Sequence, residues 1–450
     1  MTLRFLYIFG VLFAGQICVF AQGADSPDPR TLNLQQAVEM ALQHNHDIRL
    51  SSLKIEEEER AREVARSSYF PVLNNHSTFA HATDTEFIGI PAGALGRAGG
   101  TAIPSQTVVL NQGALNFALS DTGLTQPLTE LFKIKSANDI ARADVEASKS
   151  QARSVEDQIA LKVRHLYYNI LIVQTEQQAI EAKIRAAEDL QSERVQQVKY
   201  GSTLEADLIE SRAQSLQAKQ DLLSERVQLS DLRAQFNELL GLPIATDVAL
   251  DANVAAPAAA SSYEEYVRLA LNNNPDIAEA KAKLEKADAG IREAKREYIP
   301  DFEAFAHYTY ADNVPFLARN YGTFGVHFSY DVFDGGKKRA TLHERDIQAA
   351  QAKENLARIR DEVEVKVETA YNKLEQTEQM IAVSQELLAA RQEARRETAE
   401  GLEHGTYLRS QAEASAAQEA LAKTQLLQSQ LEYVQARDEL NAAIGQNAHE

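Results

Sequence analysis

Three groups of residues could in principle support catalysis or bind a ligand. They are one glycine–lysine motif and two pairs of histidines. Gly335-Gly336-Lys337 resembles the end of a phosphate-binding loop, but the glycine that such a loop requires four residues earlier is missing. His44 and His46 lie two residues apart, so on a helix they do not share a face and are not expected to share a metal ion. His307 and His327 fall on the polar side of two predicted strands, where we expect them to line a surface.

No other arrangement of residues supports catalysis. We find no nucleophile beside a base and no pair of carboxylates with the features of acid–base chemistry. The sequence therefore predicts a protein that is not an enzyme, with no cofactor and no metal site.

The composition favours long helices and argues against nucleic acid as a partner. The 450 residues are rich in Ala, Gln, Glu and Arg, contain no Trp and carry a formal charge of -19. Phosphate binding needs basic patches, which such an acidic chain does not favour. The one acidic run, Glu56 to Glu59, is typical of a solvated helix face.

The first 21 residues have the features of an export signal. Arg4 precedes an apolar core from Phe5 to Phe13, and Val19-Phe20-Ala21 offers a small-residue cleavage site. Gln16 interrupts the apolar segment, which is also short for a membrane anchor. Residues 1–21 are therefore predicted to be the signal peptide of an exported protein.

Cleavage after Ala21 removes the only cysteine, Cys18, so no disulfide is expected in the mature chain. Ile17 precedes Cys18, where a lipoprotein site needs a small residue, and we do not expect lipidation. No later segment reaches the roughly 20 apolar residues of a membrane-spanning helix. Any crossing of a membrane would therefore require strands closed into a barrel.

The feature around which the chain is organised is a helix predicted from Phe132 to Tyr200, a stretch with neither Pro nor Gly. At about 1.5 Å per residue it is roughly 100 Å long, much longer than a globular domain needs. A second stretch of the same character runs from Lys338 to Glu403. Small and apolar residues recur along the first helix at steps of three and four, which is typical of packing along its whole length. They are Ile134, Ala137, Ala141, Val145, Ser148, Ala152, Val155, Ile159, Val163, Leu166, Ile170 and Val173.

The chain contains two copies of one plan. Offsets of 229 residues before the strands and 204 residues after them relate the copies, and the difference of 25 residues indicates a longer loop between Pro71 and Gln126. The first offset aligns Val38, Ala41, Leu42, Asn45, Asp47, Ile48, Ala65, Tyr69 and Pro71 with Val267, Ala270, Leu271, Asn274, Asp276, Ile277, Ala294, Tyr298 and Pro300. The second aligns Val163, Tyr167, Gly201, Leu204, Gln214, Lys219, Leu222, Leu223, Arg233, Asn237 and Gly241 with Val367, Tyr371, Gly405, Leu408, Gln418, Lys423, Leu426, Leu427, Arg437, Asn441 and Gly445.

Each repeat is predicted to run helix, helix, strand, loop, strand, long helix, turn, helix. The first repeat covers residues 22–241, with helices at 34–43 and 47–68, strands at 72–83 and 114–128, a long helix at 132–200 and a returning helix at 204–240. A linker at 242–262 follows. The second repeat covers residues 263–445, with strands at 301–311 and 322–333, a long helix at 338–403 and a returning helix at 407–444, before a tail at 446–450.

The strands of the second repeat alternate between aromatic or apolar residues and polar residues. Phe302, Ala304, Ala306, Tyr308 and Tyr310 form one side of the first strand, and Phe324, Val326, Phe328, Tyr330 and Val332 form one side of the second. This pattern is typical of lipid-facing barrel strands, and an edge hairpin on a soluble sheet is the alternative. The pattern is weaker in the first repeat, where the duplication carries the prediction.

Four strands per chain cannot close a barrel, because the smallest membrane barrels have about eight. An open sheet edge in lipid would leave backbone groups unpaired at several kcal/mol each. Several chains would therefore share one barrel. Two chains give eight strands and three give twelve, and only the larger ring leaves a useful pore.

From about Leu34 to Gly445 the chain resembles the TolC family of outer membrane efflux proteins. The features that carry the resemblance are the tandem copies, Tyr69-Phe70-Pro71 and Tyr298-Ile299-Pro300 at helix–strand junctions, Gln126-Pro127-Leu128 and Phe333-Asp334-Gly335-Gly336 before the long helices, and Gly201 and Gly405 at the hairpin turns. The resemblance implies a mainly α fold with a small β part. It further implies a homotrimer in which four strands per chain form a shared twelve-stranded barrel in the outer membrane, above an α-helical barrel in the periplasm. The expected location is the outer membrane of a Gram-negative bacterium.

The resemblance also places the functional residues at the periplasmic hairpin tips. A periplasmic adaptor of an inner membrane transporter is expected to dock there, on candidates Tyr200, Gly201, Ser202, Leu204, His404, Gly405, Thr406 and Leu408. The glycines permit left-handed caps, and Ser202 or Thr406 would cap the returning helix. The family often places pore-facing carboxylates six and nine residues after the tip glycine. Here these are Asp207 and Glu210 in the first repeat, but Gln411 and Ala414 in the second.

Two functions are therefore open at the level of sequence. The first is a passive outer membrane exit duct of an efflux or secretion system. The alternative is an exported periplasmic coiled-coil scaffold or adaptor without a pore. The sequence does not specify a cargo, because such ducts carry what the pump selects.

Overall fold

The computed structural model describes residues 31–84, 86–112, 114–252, 262–314 and 317–446. The predicted signal peptide 1–21 lies outside the described residues, as do the middle of the predicted linker 242–262 and all but the first residue of the predicted tail 446–450.

Helices make up most of the described chain. Their bounds are α1 Leu34–His44, α2 His46–Ser67, α3 Glu130–Lys199, α4 Glu205–Leu239, α5 Tyr263–Asn273, α6 Pro275–Arg296, α7 Lys337–Glu403 and α8 Arg409–Ala443. With 70 and 67 residues, α3 and α7 are each about 100 Å long. The fold class predicted from the sequence, mainly α with long antiparallel helical hairpins in two tandem repeats, is confirmed.

Two asparagines, related by the 229-residue offset, join helices in the same way in both repeats. The side chain of Asn45 accepts from the Asp47 amide at the start of α2 and donates to the Leu239 carbonyl at the end of α4. Asn274 accepts from the Asp276 amide at the start of α6 and donates to a carbonyl at the end of α8. Each asparagine therefore satisfies a helix N-terminus and a helix C-terminus together.

In the described residues the strands form one four-stranded sheet and three two-stranded sheets. Their bounds are β1 Thr31–Leu32, β2 Val72–His81, β3 Glu86–Ile90, β4 Arg97–Ala98, β5 Thr101–Ala102, β6 Val108–Gln112, β7 Asn116–Pro127, β8 Ala249–Leu250, β9 Asp301–Asp312 and β10 Asn320–Ser329. The sheet is antiparallel with strand order β10-β9-β7-β2. Each repeat thus contributes one long hairpin, and the two hairpins meet at the β7–β9 pairing.

The long helices pack side by side around α3. This helix contacts α2, α4, α6 and α8, while α7 packs on α6 and α8. The order is α4-α3-α8-α7 toward the hairpin tips and α2-α3-α6-α7 toward the sheet. The two ends of each row have a neighbour on one side only in the described chain.

Two hydrophobic cores lie near the middle of the long helices, one for each repeat. The first is centred on Tyr167, Tyr168 and Phe236, and the second on Val367, Leu440 and Ile444. The Tyr167 hydroxyl donates to the carbonyl oxygens of Leu32 at 3.0 Å and Asp251 at 2.6 Å. Burial raises the pKa of Tyr167 to about 12, so it remains a hydrogen-bond donor and holds the parallel β1–β8 pair against α3.

Strands occur in two regions that the sequence indicates as loop and linker. The loop between β2 and β7 contains the paired strands β3–β6 and β4–β5, and the linker contains β8. These strands have two to five residues and lie among glycines and alanines, so they lack the alternation that identifies a longer strand.

Candidate functional site

The two faces of the four-stranded sheet differ in polarity in the second repeat. Phe302, Tyr308, Phe324, Val326 and Phe328 are exposed on one face, with Phe324 88% exposed. On the other face, odd-numbered residues of β9 such as Thr309 and Ala311 are buried. The aromatic face has the character of a lipid-facing surface.

The opposite face carries a hydrogen-bonded network between the two repeats. The carboxylate of Asp121 on β7 accepts from the Thr309 hydroxyl on β9 at 2.7 Å. Its other oxygen lies 3.0 Å from Nδ1 of His307. Gly123 makes room for the imidazole, because a Cβ there would lie 2.8 Å from a His307 ring carbon. His307 thus belongs to a polar wall, as its strand position predicts.

The outer strands of the sheet, β2 and β10, have no strand partner on their free sides within the described residues. Nothing in their sequence blunts these edges with proline or a bulge. The described chain therefore ends on both sides in backbone groups that are free to pair with another strand.

The helical rows also end in exposed apolar residues at heptad spacing. On α4 these are Ile209, Leu216, Leu223 and Val227, which we call the α4 edge. On α7 they are Met380, Val383 and Leu387, the α7 edge. Each set lies on the side of its helix opposite to the residues buried within the chain, for example Ala218 in α4 and Leu374 in α7. Such a stripe is normally covered by another helix.

The hairpin tips have the same backbone in both repeats. Gly201 and Gly405 have φ of +69° and +71°, the left-handed conformation that favours glycine. The prediction that Ser202 and Thr406 cap the returning helices is wrong. Each hydroxyl instead donates back to a carbonyl of the preceding helix, Ser202 to Gln197 and Thr406 to Gly401, both at 2.9 Å.

The returning helices are capped from the position six residues after each tip glycine. The Asp207 carboxylate accepts from the Thr203 hydroxyl at 2.6 Å and from the Leu204 amide at 3.3 Å. In the second repeat the Gln411 side chain accepts from the Leu408 amide at 2.9 Å. The hydroxyl of Thr203 and the Leu204 amide hold the pKa of Asp207 below its ordinary value. Asp207 is therefore ionised and exposed, and it has a structural role in addition to its charge.

The other predicted tip residues are exposed at the ends of the hairpins. Glu210 lies one helical turn after Asp207 and accepts from Gln214 at 3.2 Å. Tyr200 and Leu204 are exposed at the first tip, as are His404 and Leu408 at the second. The structure thus gathers apolar and aromatic side chains at both turns.

Contacts between α3 and α8 join the two hairpins near their tips. Nε of Arg409 lies 3.0 Å from the Asp189 carboxylate, although Arg409 itself is exposed. The Ser410 amide donates to Glu193 at 2.9 Å, and the Ser410 hydroxyl donates to the same carboxylate. The partners lie more than 200 residues apart in sequence. No local pattern could have identified these residues.

The predicted helix–strand junctions have distinct structures. Pro71 and Pro300 directly precede β2 and β9. Gly335 and Gly336 have φ of +67° and +90°, and Gly336 immediately precedes α7. The Asp334 carboxylate accepts from the amides of Gly336 and Lys338, both at 2.9 Å, which fixes this turn and caps the helix.

Two further properties of the described residues bear on other functions. None of the helices described has a stretch long and apolar enough to span a membrane. No cluster of three or more His, Cys, Asp or Glu side chains within the described ranges is arranged to hold a metal ion.

The fold is that of the outer membrane channels. The chain is similar to the CmeC outer membrane channel of Campylobacter jejuni, with a TM-score of 0.75 and 13% identity over 92% of this chain and 85% of that one. It is also similar to the outer membrane protein VceC of Vibrio cholerae, with a TM-score of 0.73 and 13% identity over 93% and 97%. For the open state of the MtrE channel of Neisseria gonorrhoeae the TM-score is 0.70, with 17% identity over 93% and 89%.

The sequence itself defines the family. The model of the outer membrane efflux protein family matches residues 37–242 and 266–446, which covers both repeats. The chain therefore belongs to the outer membrane efflux protein family. A comparison with curated proteins finds no significant match.

Proposed function

We propose that this protein is the passive outer membrane exit duct of a tripartite efflux or secretion system, working as a homotrimer. The observation that carries the proposal is that one chain ends on both sides in uncovered surfaces, at the sheet edges β2 and β10 and at the α4 and α7 edges. Three copies joined edge to edge provide twelve strands for a barrel in outer membrane lipid, with a helical barrel continuing it into the periplasm.

The contacts between copies follow from the order of elements. A ring in which β10 of one copy pairs with β2 of the next also brings the α7 edge of one copy to the α4 edge of its neighbour. Such head-to-tail contacts close into a ring when the rotation that relates neighbouring copies is a whole fraction of 360°, which for three copies is 120°. The test of this proposal is the mass of the detergent-extracted protein together with its channel activity in a planar bilayer: a conducting trimer is expected.

The periplasmic scaffold without a pore is the weaker candidate. It gives no reason for a sheet face with Phe324 88% exposed and Phe302, Tyr308 and Phe328 beside it. A contiguous exposed aromatic surface of this kind is an aggregation hazard in water and is stabilised by lipid.

The ionised tip carboxylates are proposed to make the constriction of the duct cation-selective. In a trimer, Asp207 and Glu210 form two rings of three carboxylates, one helical turn apart. The low pKa of Asp207 keeps its ring charged as the pH falls into the usual titration range of carboxylates.

Asp207→Gln with Glu210→Gln is expected to weaken channel block by a trivalent cation on the order of tenfold, because attraction of about 1.4 kcal/mol is lost. Glutamine preserves the cap, since Gln411 makes the same bond in the second repeat. The measurement is the blocking concentration in planar bilayers. The reciprocal variant Gln411→Asp adds a ring of charge and is expected to strengthen block. Identical blocking concentrations for all three proteins would exclude the carboxylate rings.

The apolar hairpin tips are proposed to dock a periplasmic adaptor of an inner membrane transporter. A photo-reactive amino acid at Leu408 is expected to give a covalent adduct with an adaptor in intact cells, and Leu204→Asp is expected to reduce its yield by about tenfold or more. The adduct is identified by mass spectrometry. The same probe at Ile244, which is exposed just beyond the C-terminal end of α4, is the control. An adaptor adduct from Ile244 and none from Leu408 would contradict docking at the tips.

A further inference from the structure

The loop between β2 and β7 extends the first-repeat hairpin into a long ribbon. Strands β3 and β6 pair antiparallel, with Ile88 opposite Leu110 and Ile90 opposite Val108. Beyond them, β4 and β5 pair around a turn at Gly99 and Gly100, which have φ of +58° and +88°. We call residues 86–112 the ribbon. It lies at the end of the sheet away from the helices, and the corresponding connection between β9 and β10 is much shorter.

The ribbon is almost free of charge. Within residues 86–112 the charged residues are Glu86, at the first position, and Arg97. Most of the described large apolar side chains of the ribbon are exposed, and Leu95 is 73% exposed. Exposed apolar residues of the ribbon are Ile88, Leu95, Ile103, Val108, Val109 and Leu110. An exposed apolar surface of this extent marks an interaction site.

The ribbon also lacks support from its own chain. Among the described residues, its extensive contacts are those between its own strands. An isolated two-stranded ribbon is marginally stable in water, because neither face is buried. A partner that covers its apolar surface would stabilise it.

We propose that the ribbons of three copies pack on one another across the outer mouth of the barrel and form an apolar lid. This inference rests on the proposed trimer. A twelve-stranded barrel has a radius of roughly 12 Å, from the strand spacing and tilt. Strand β3 has five residues and spans about 17 Å. A ribbon that leans inward from the rim therefore reaches the axis and meets its two symmetry mates.

The charge and size of the side chains favour a second copy over membrane lipid as the partner. Anionic lipid headgroups are bound by clusters of Lys and Arg, whereas the ribbon has Arg97 alone. Gly93, Gly96 and Ala98 are small, which allows backbones to approach closely at a threefold axis. The ribbon also continues directly from β2, the strand whose free edge is proposed to join the next copy.

A single cysteine tests whether the ribbons meet. In a Cys18→Ser background, which has no other cysteine, Leu95→Cys is expected to yield disulfide-linked dimers when the trimer is oxidised. Phe79→Cys is the matched control. Phe79 has a similar exposure of 78% but lies on β2, in the wall of the proposed barrel, so it is expected to yield none.

Removal of the ribbon tests whether it closes the mouth. Because Ile88 and Leu110 are register partners, residues 89–109 can be replaced by Asn-Gly, a two-residue hairpin turn. A bulky, membrane-impermeant maleimide added to intact cells is expected to label Thr323→Cys, on the polar face of β10, at least about tenfold faster without the ribbon. This readout is independent of the periplasmic tips.

The outcomes separate the lid from the trimer. Trimers that show no Leu95→Cys cross-link, or unchanged labelling of Thr323→Cys, would overturn the lid and leave the proposed function standing. A cross-link from Leu95→Cys to a different protein would contradict the proposal that the ribbon packs on another copy of this chain. Failure of the unmodified chain to form trimers would overturn the proposed function itself.

Discussion

Leu216→Glu with Leu223→Glu is expected to abolish the trimer. Both leucines belong to the α4 edge and are 58% and 60% exposed in the single chain. Full burial of a leucine stabilises by about 1.5–3 kcal/mol, so covering the exposed part of each of these side chains contributes about 1–2 kcal/mol. The substitution removes this gain at all three contacts of the ring. It also places charges against Val383 and Leu387 of the α7 edge of the next copy, where desolvation makes them unfavourable. The measurement is the mass of the detergent-extracted protein by light scattering.

A matched glutamate distinguishes the edge from general loss of stability. Gln228 is exposed on α4 but lies away from the apolar stripe, so Gln228→Glu adds charge without entering the proposed contact. This variant is expected to remain trimeric. A trimer of normal mass in the double variant, or equal loss of trimer in Gln228→Glu, would contradict the assigned edge.

Asp438→Ala is expected to reduce the free energy of unfolding by about 3 kcal/mol. Asp438 on α8 is buried, with 8% exposure, and binds two residues of α3. Nη1 of Arg164 lies 2.6 Å from one carboxylate oxygen, and the Tyr168 hydroxyl donates to the other at 3.1 Å. Burial raises the pKa of Tyr168 above its ordinary value, so the hydroxyl stays protonated. Alanine leaves a largely buried guanidinium and a fully buried hydroxyl without this acceptor.

The guanidinium denaturation midpoint measures this loss. Asp221→Ala is the control, because the Asp221–Lys183 pair lies at 3.0 Å on the surface and a surface pair contributes about 1 kcal/mol or less. A midpoint for Asp438→Ala no lower than that of Asp221→Ala would show that the buried network does not hold α3 to α8.

The fold class could be predicted from local features of the sequence. The absence of Pro and Gly between Phe132 and Tyr200 predicts a helix that only a long hairpin accommodates. The alternation of apolar and polar residues in β9 and β10 identifies an amphipathic hairpin. Because the offsets between the two repeats are constant, the same hairpin is predicted in the first repeat, where the alternation is weak. These features are local or repeated, so they appear in one sequence.

The remaining structure depends on contacts that are not local. Arg164 and Asp438 are 274 residues apart, and nothing near either residue indicates the other. The ribbon was missed because strands of two to five residues among glycines show no period. The capping role of Ser202 was predicted wrongly, because serine is a common N-cap, whereas Asp207 with Thr203 satisfies the start of α4 and leaves Ser202 to the end of α3.

The sequence also does not show which apolar face of a helix is buried within the chain and which is exposed. Leu216 and Ala218 are both apolar and two residues apart, yet one is exposed and the other fully buried. Only the position of α4 at the end of its row shows that its second apolar stripe faces away from the chain. That stripe, with the open strands β2 and β10, is the basis of the proposed ring.

We propose that one chain forms one third of the wall of the duct and that three chains close it. The most direct measurement is the mass of the mature protein in detergent, followed by single-channel recording of the same sample in a planar bilayer. We expect a trimer that conducts in discrete steps. A single chain that is monodisperse in buffer without detergent and shows no conductance after reconstitution would contradict it.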